Sequence, residues 1–227
     1  MEISIKYKKP ATRIQLPATS KRADKILRRL THQYPDAKCS LVYDNPEQLL
    51  VSTILSAQCT DKQVNKVAPL LFRKFPTVKA LALAPVSEIK EIVKPTGFYN
   101  NKAKSIKSAM QAVMKKFNGK VPDNMDDLLS LSGVGRKTAN VVLGDGFGIP
   151  GIVVDTHVSR ICRRLGLTKN TDPVKIEQDL MKIIPKSKWV LLGHLMIAHG
   201  RAVCKARNPK CGDCFLNDIC VKTGMLE

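Results

Sequence analysis

Apolar residues recur three or four positions apart through the chain from Lys21 onward, the spacing that gives a helix one buried face. Ala23, Ile26, Leu27, Leu30 and Tyr34 form the first stripe. Asp44-Asn45-Pro46 reads as a helix start with proline in the first turn, continued by Leu50, Ile54 and Ala57. Thr60-Asp61-Lys62-Gln63 fits a capping box ahead of Val64, Val67 and Leu71, and Pro69 should interrupt and kink that helix. A short helical piece is expected after Pro85. The spacing then predicts a long helix carrying Ala103, Ile106, Met110, Val113 and Phe117, stopped by Asn118-Gly119. Asp123 should start a short helix that runs into a glycine turn. Beyond Asp155 three more are expected. One runs to about Gly166, and one opens at Asp172-Pro173 with Ile176, Leu180 and Ile183. The last is capped by Ser187 and carries Trp189, Leu192, Met196, His199 and Val203. Only Ile152-Val153-Val154 is strand-like, and it is too short to make a sheet. The expected fold class is all-α.

No repeat, low-complexity run or long linker divides the 227 residues, and a 44% hydrophobic composition is enough for a sizeable core. The expected division puts one helical domain at residues 40–150. Residues 21–39 and 151–227 form a second around a cysteine loop, with a cleft between the two. Residues 1–20, with Lys6, Lys8, Lys9 and Arg13 as charges and Pro10 and Pro17 as breakers, read as a basic flexible arm.

Charge narrows the partner. Lys and Arg number 38 against 19 acids, a net +19, which favours a polyanion, and nucleic acid first. No apolar run approaches the roughly 20 residues of a membrane span, and no secretory signal opens the chain. A monomer in a reducing cytoplasm, at a bacterial or archaeal nucleoid, is the expected setting. Seven cysteines fit it, because four of them cluster as Cys204-x6-Cys211-x2-Cys214-x5-Cys220, a metal-site pattern and not a disulfide one. Zinc on four thiolates and a cubane iron–sulfur cluster both remain open from spacing alone. Between the first two cysteines, Lys205, Arg207 and Lys210 would make a cationic finger for phosphates.

The chemistry concentrates in Leu131-Ser132-Gly133-Val134-Gly135-Arg136-Lys137-Thr138-Ala139-Asn140, followed by Val153-Val154-Asp155-Thr156-His157. The glycines leave turn amides uncovered at the positive end of the next helix, a ready phosphate site. Lys137 sits in that helix's first turn. The helix terminus and the neighbouring Arg136 both favour its neutral, nucleophilic form. Asp155 stands where an N-cap belongs, so a structural role competes with a chemical one. Ser56-Ala57-Gln58 reads as a helix–helix joint, Phe98-Tyr99 as a turn anchored by two packed rings, and His157 and His199 as hydrogen-bonded structural histidines. Cys39, Cys59 and Cys162 are most simply core or near-surface thiols.

Taken together these residues resemble a known family. Leu131 to Asn140 resembles the helix-hairpin-helix of DNA glycosylases, and Val154-Asp155-Thr156-His157 its catalytic aspartate region. Ser56-Ala57-Gln58, Tyr99-Asn100-x-Lys102-Ala103 and the cysteine spacing are similar to the endonuclease III branch. The resemblance runs from about Lys21 to Cys220. It implies a bifunctional base-excision enzyme that removes oxidised pyrimidines from duplex DNA and cuts at abasic sites. Lys137 would form a Schiff base with the sugar, assisted by Asp155. DNA would be contacted by Gln58, Phe98, Gly133, Val134, Gly135, Arg136, Thr138, Lys205, Arg207 and Lys210. Cys204, Cys211, Cys214 and Cys220 would ligate a [4Fe–4S] cluster. The adenine-mismatch branch lacks the lysine and carries a further C-terminal domain, whereas this chain ends seven residues after Cys220. A non-catalytic DNA-binding scaffold is the alternative from another class. Three departures stand out: Ser132 replaces a frequent proline, Phe98 replaces an aliphatic wedge, and Gly144 and Gly146 should weaken their helix by about 1 kcal/mol each.

Overall fold

The computed structural model describes residues 19–223. Most of the basic arm, residues 1–18, lies outside the described residues. Thr19 caps the first helix and Ser20 opens it. Among the described residues there are eleven α-helices and no strand. They are α1 Ser20–Gln33, α2 Pro46–Leu55, α3 Asp61–Lys74, α4 Val78–Leu83, α5 Val86–Val93, α6 Tyr99–Lys116, α7 Met125–Leu129, α8 Arg136–Val141, α9 Thr156–Arg164, α10 Pro173–Ile183 and α11 Trp189–Ala202.

Capping side chains set many of the starts. Asn45 accepts from the Gln48 amide at 2.9 Å, Thr60 from Gln63 at 3.3 Å, and Asp172 from Lys175 at 2.9 Å. Each such cap is worth about 1 kcal/mol. Other starts depart from the sequence expectation. The cap of α7 is Asn124, not Asp123, and accepts from Asp127 at 3.0 Å. Ser187 does not cap α11. A 3-10 turn, Lys186–Lys188, leads into it, and Lys188 precedes it without a side-chain cap. Helix α3 is not interrupted at Pro69. Burial of Val64, Val67, Ala68 and Leu71 outweighs the roughly 3 kcal/mol of an interior proline. Helix α2 stops at Leu55, so Ala57 lies exposed beyond it. Ile152 to Val154 forms no strand and has no regular secondary structure. Helix α4 was not anticipated, because its six residues are too few to display a period.

Buried side chains fall into two clusters. The first runs from Leu41 to Leu143 and includes Leu49, Leu50, Leu71, Ile106, Met110 and Leu128. The second joins Ala23, Ile26, Leu27 and Leu30 of α1 to Ile152, Val158, Ile161, Ile176, Leu180, Leu195 and Leu216. The chain therefore starts in one core, builds the other, and returns.

The second crossing is made by a π turn, Val142–Gly146, that extends α8. Gly144 belongs there for packing. A Cβ on it would lie 2.9 Å from Cγ2 of Val190 in α11. The expected helix weakening is thus the cost of letting α11 approach. Beside it, Asp145 accepts from His194 Nε2 at 2.8 Å. No helix among the described residues is long and apolar enough to cross a membrane.

Candidate active site and cluster loop

Helices α7 and α8 are joined by a tight turn. The Val134 amide donates to the Leu131 carbonyl at 3.2 Å, and the Leu131 and Val134 side chains face the first core. Gly133 has φ +77, and a Cβ there would sit 2.8 Å from Cβ of Ser105, so both backbone and space demand glycine. Gly135 differs. Its φ of −99 suits any residue, and a Cβ would meet nothing within 4 Å. Its contribution is to cap α8 without a side chain over the first-turn amides, leaving the positive helix end uncovered. Ser132, Arg136 and Lys137 are exposed and Thr138 is half-buried. Arg136 is not wholly free for DNA, because its Nε donates to Glu177 at 2.7 Å.

Asp155 does cap α9, accepting from the Val158 amide at 2.8 Å. That bond fixes one carboxylate oxygen at the mouth of the helix. Two residues on, His157 is affected by both candidate catalytic groups. Burial lowers its pKa, Asp155 opposes that, and Arg160, Arg201 and Lys137 lower it further. Lys137 and Asp155 therefore share one electrostatic neighbourhood, although eighteen residues separate them. Arg160 Nη2 lies 3.1 Å from His157 Nδ1 and donates to the Cys204 carbonyl at 3.0 Å. Asp61, at the start of α3, joins the same neighbourhood. Burial would raise its carboxyl, but bonds from Ser40 and Arg201, with Lys137 nearby, hold it below the usual range. The sequence pattern gave Asp61 only a place in a capping box and gave Arg201 no role.

Two candidate DNA-contacting residues share a backbone feature. Gln58 has φ 51 and Phe98 φ 48, left-handed values that cost a non-glycine residue about 1 kcal/mol or more. Both are exposed, Phe98 at 62%. Two packed rings are therefore not what anchors this turn. Tyr99 packs against the first core while Phe98 stands out in solvent. Beneath it the buried Lys102 amine donates to the Thr96 carbonyl at 2.8 Å, and burial lowers its pKa.

Cys204, Cys211, Cys214 and Cys220 line one pocket with Ile161, Leu165 and Leu216. No three His, Cys, Asp or Glu side chains among the described residues converge closely enough to hold a single ion. Four thiols around a common apolar-walled space suit a cluster bound at its corners. Burial pushes the Cys214 and Cys220 thiols up, and the neighbouring cysteines add to this. A bound metal centre reverses that by taking the thiolate. Arg164 braces the loop, donating to the Lys205 carbonyl at 2.7 Å, the Ala206 carbonyl at 3.0 Å and the Cys204 sulfur at 3.4 Å. Lys205, Arg207 and Lys210 are exposed on it.

Two short helices joined by an uncovered turn, with Lys137 in the first turn of the second, form a helix-hairpin-helix. Residues 51–186 match the model of the HhH-GPD superfamily base excision DNA repair proteins. Residues 204–220 match the iron-sulfur binding domain of endonuclease III. The chain is 53% identical to endonuclease III of Synechocystis sp. over 207 residues, 91% of this chain and 94% of that one. It is 40% identical to endonuclease III of Escherichia coli, covering 86% and 92% of the two chains. Among solved structures, a trapped endonuclease III–DNA covalent intermediate superposes with a TM-score of 0.85 at 43% identity, over 89% of this chain and 95% of that one. The chain belongs to the endonuclease III family. It is a DNA glycosylase with abasic-site lyase activity and carries an iron–sulfur cluster.

Proposed function

We propose that Lys137 is the nucleophile and Asp155 its partner in removing oxidised pyrimidines from duplex DNA. One observation carries this reading: Lys137 stands in the first turn of α8 and Asp155 caps α9, each close enough to bear on the His157 ring. The damaged nucleotide has to leave the stack before an amine can reach its sugar. The neutral Lys137 amine then forms a bond to C1′ as the bond from C1′ to the base breaks. With the sugar ring opened, loss of the amine proton leaves a Schiff base, and Asp155 offsets the positive charge that develops. Loss of a C2′ proton expels the 3′ phosphate by breaking C3′–O, and water releases Lys137.

The turn at Gly133 to Thr138 supplies backbone amides for a phosphate, Gln58 fills the space left by the extruded nucleotide, and Phe98 stacks from the opposite side. Cys204, Cys211, Cys214 and Cys220 are the ligands of a [4Fe–4S] cluster. With those thiolates held, Lys205, Arg207 and Lys210 would form a rigid basic loop for the DNA backbone. The two cores correspond to two domains, with the site at their junction. None of the seven cysteines pairs in a disulfide, in keeping with a reducing intracellular compartment.

The test is borohydride trapping on duplex DNA that carries one oxidised thymine, with native chain beside Lys137→Ala. An adduct from the native chain alone is expected. Duplex binding without any adduct would turn the reading toward a scaffold, and an adduct from the variant would remove Lys137 from its role.

A further inference from the structure

Glu177 of α10 is 3% exposed, and a carboxylate sealed from water needs partners to stay charged. Its partners lie across the junction, on α8. Oε2 accepts from Arg136 Nε at 2.7 Å, and Oε1 accepts from Asn140 Nδ2 at 3.1 Å. The same Asn140 nitrogen donates to the Ile152 carbonyl at 3.3 Å. The Asn140 amide is wedged in place, because a Cβ on Gly151 would come within 2.6 Å of its Oδ1.

Arg136 and Asn140 are four residues apart and lie one above the other on α8. Lys137 follows Arg136, about 100° further round the helix. Pinning the Arg136–Asn140 face fixes the rotation of α8, and so the direction in which Lys137 leaves it. Ile152 stands three residues before Asp155, so the same network also ties down the segment that delivers Asp155.

We infer that Glu177 is the positioning residue of the Lys137–Asp155 pair, acting through Arg136 and Asn140 without touching substrate. This rests on Lys137 being the nucleophile. Glu177→Gln keeps the shape, removes the charge, and turns an NH2 group toward one of its two former donors.

The test uses the cluster-loaded full chain and a labelled duplex with a single abasic site. Single-turnover trapping by borohydride reads the chemistry. Equilibrium binding to a duplex with a tetrahydrofuran abasic analogue, which cannot form a Schiff base, reads recognition. For Glu177→Gln, trapping is expected to slow on the order of tenfold to a hundredfold, as small misplacements of reacting groups do, with binding unchanged. Combined with Asn140→Ala, it should slow trapping no more than the worse single change, since both act through one network. Native-like trapping overturns the inference. So does a slowing matched by an equal loss of binding, or effects of the two changes that multiply. If Glu177→Gln does not fold, Gly151→Ala takes its place, since it leaves the carboxylate intact and displaces Asn140 alone. Slower trapping with binding retained is expected, and unchanged trapping overturns the inference. Failure of the native chain to form any adduct would sink the reading of Lys137 and this inference with it. Equal adduct formation by native and variant sinks only the inference.

Discussion

The Arg201 guanidinium meets the Asp61 carboxylate at 2.6 Å, tying the last turn of α11 to the first turn of α3. Arg201 belongs to a helix of the second core and Asp61 to a helix of the first. Unfolded, Asp61 titrates near the usual value of about 3.9; folded, it lies lower. The folded chain therefore binds fewer protons across that interval. The contribution of Asp61 is complete above about pH 4 and is lost as the pH falls through the folded value. Urea unfolding of the native chain and Asp61→Asn should differ at pH 5 and converge as acid is added. With Arg201 half exposed, the ion pair itself should be worth less than about 1 kcal/mol.

His157 reports on the geometry of the site. Its ring should titrate below 6.5 by NMR. Asp155→Asn removes a neighbouring negative charge and should lower the midpoint further, whereas Lys137→Ala removes a positive one and should raise it. A midpoint indifferent to both changes would mean that the two groups do not share the neighbourhood of this ring.

Gly144→Ala drives a methyl into Val190. Overpacking of this kind typically costs about 1–3 kcal/mol, against the roughly 1 kcal/mol that alanine would gain in a free helix. Chemical denaturation should find the single change destabilising, and Val190→Ala should recover part of the loss.

Phe98→Gly relaxes a left-handed backbone and removes an exposed ring. Stability should hold or rise by up to about 1 kcal/mol, while affinity for lesion-containing duplex falls. A thermal melt beside a binding titration separates the two effects. Stability and function parting at one residue is the signature of strain kept for use.

Cofactor content is checked more simply. The native chain should be brown, with about four irons per chain. Cys211→Ser should lose both colour and iron, and Lys137→Ala should lose neither.

Much of this was legible in the sequence because it is local. Caps such as Thr60 and Asp172, the stripe of α6 and the four clustered cysteines are written within a few residues of one another. Glu177 was not legible: its neighbours Ile176 and Leu180 mark a buried face, but nothing nearby in the chain signals that its partners lie on α8. The need for glycine at position 144 was equally hidden, since it is set by Val190. The packed-ring reading of Phe98 failed for a related reason, whereas its place at the wedge position suits an exposed ring. A large ring is normally buried, and only tertiary structure reveals one held outward by its backbone.

The return of the chain to the core in which α1 began governs the order in which it can be completed on the ribosome. Helix α1 emerges early, yet Arg22 hydrogen-bonds the carbonyls of Leu165 and Ile219, the latter at 2.9 Å across 197 positions. Arg29 similarly waits for Phe215 and Asp218. The intervening core, Leu41 to Leu143, can close as soon as it is synthesised, while α1 waits with its apolar stripe uncovered. Contacts this distant in sequence form slowly. The cysteine loop is made last and lies beside the docking site of α1, so metal loading and capture of the first helix fall at the same late step.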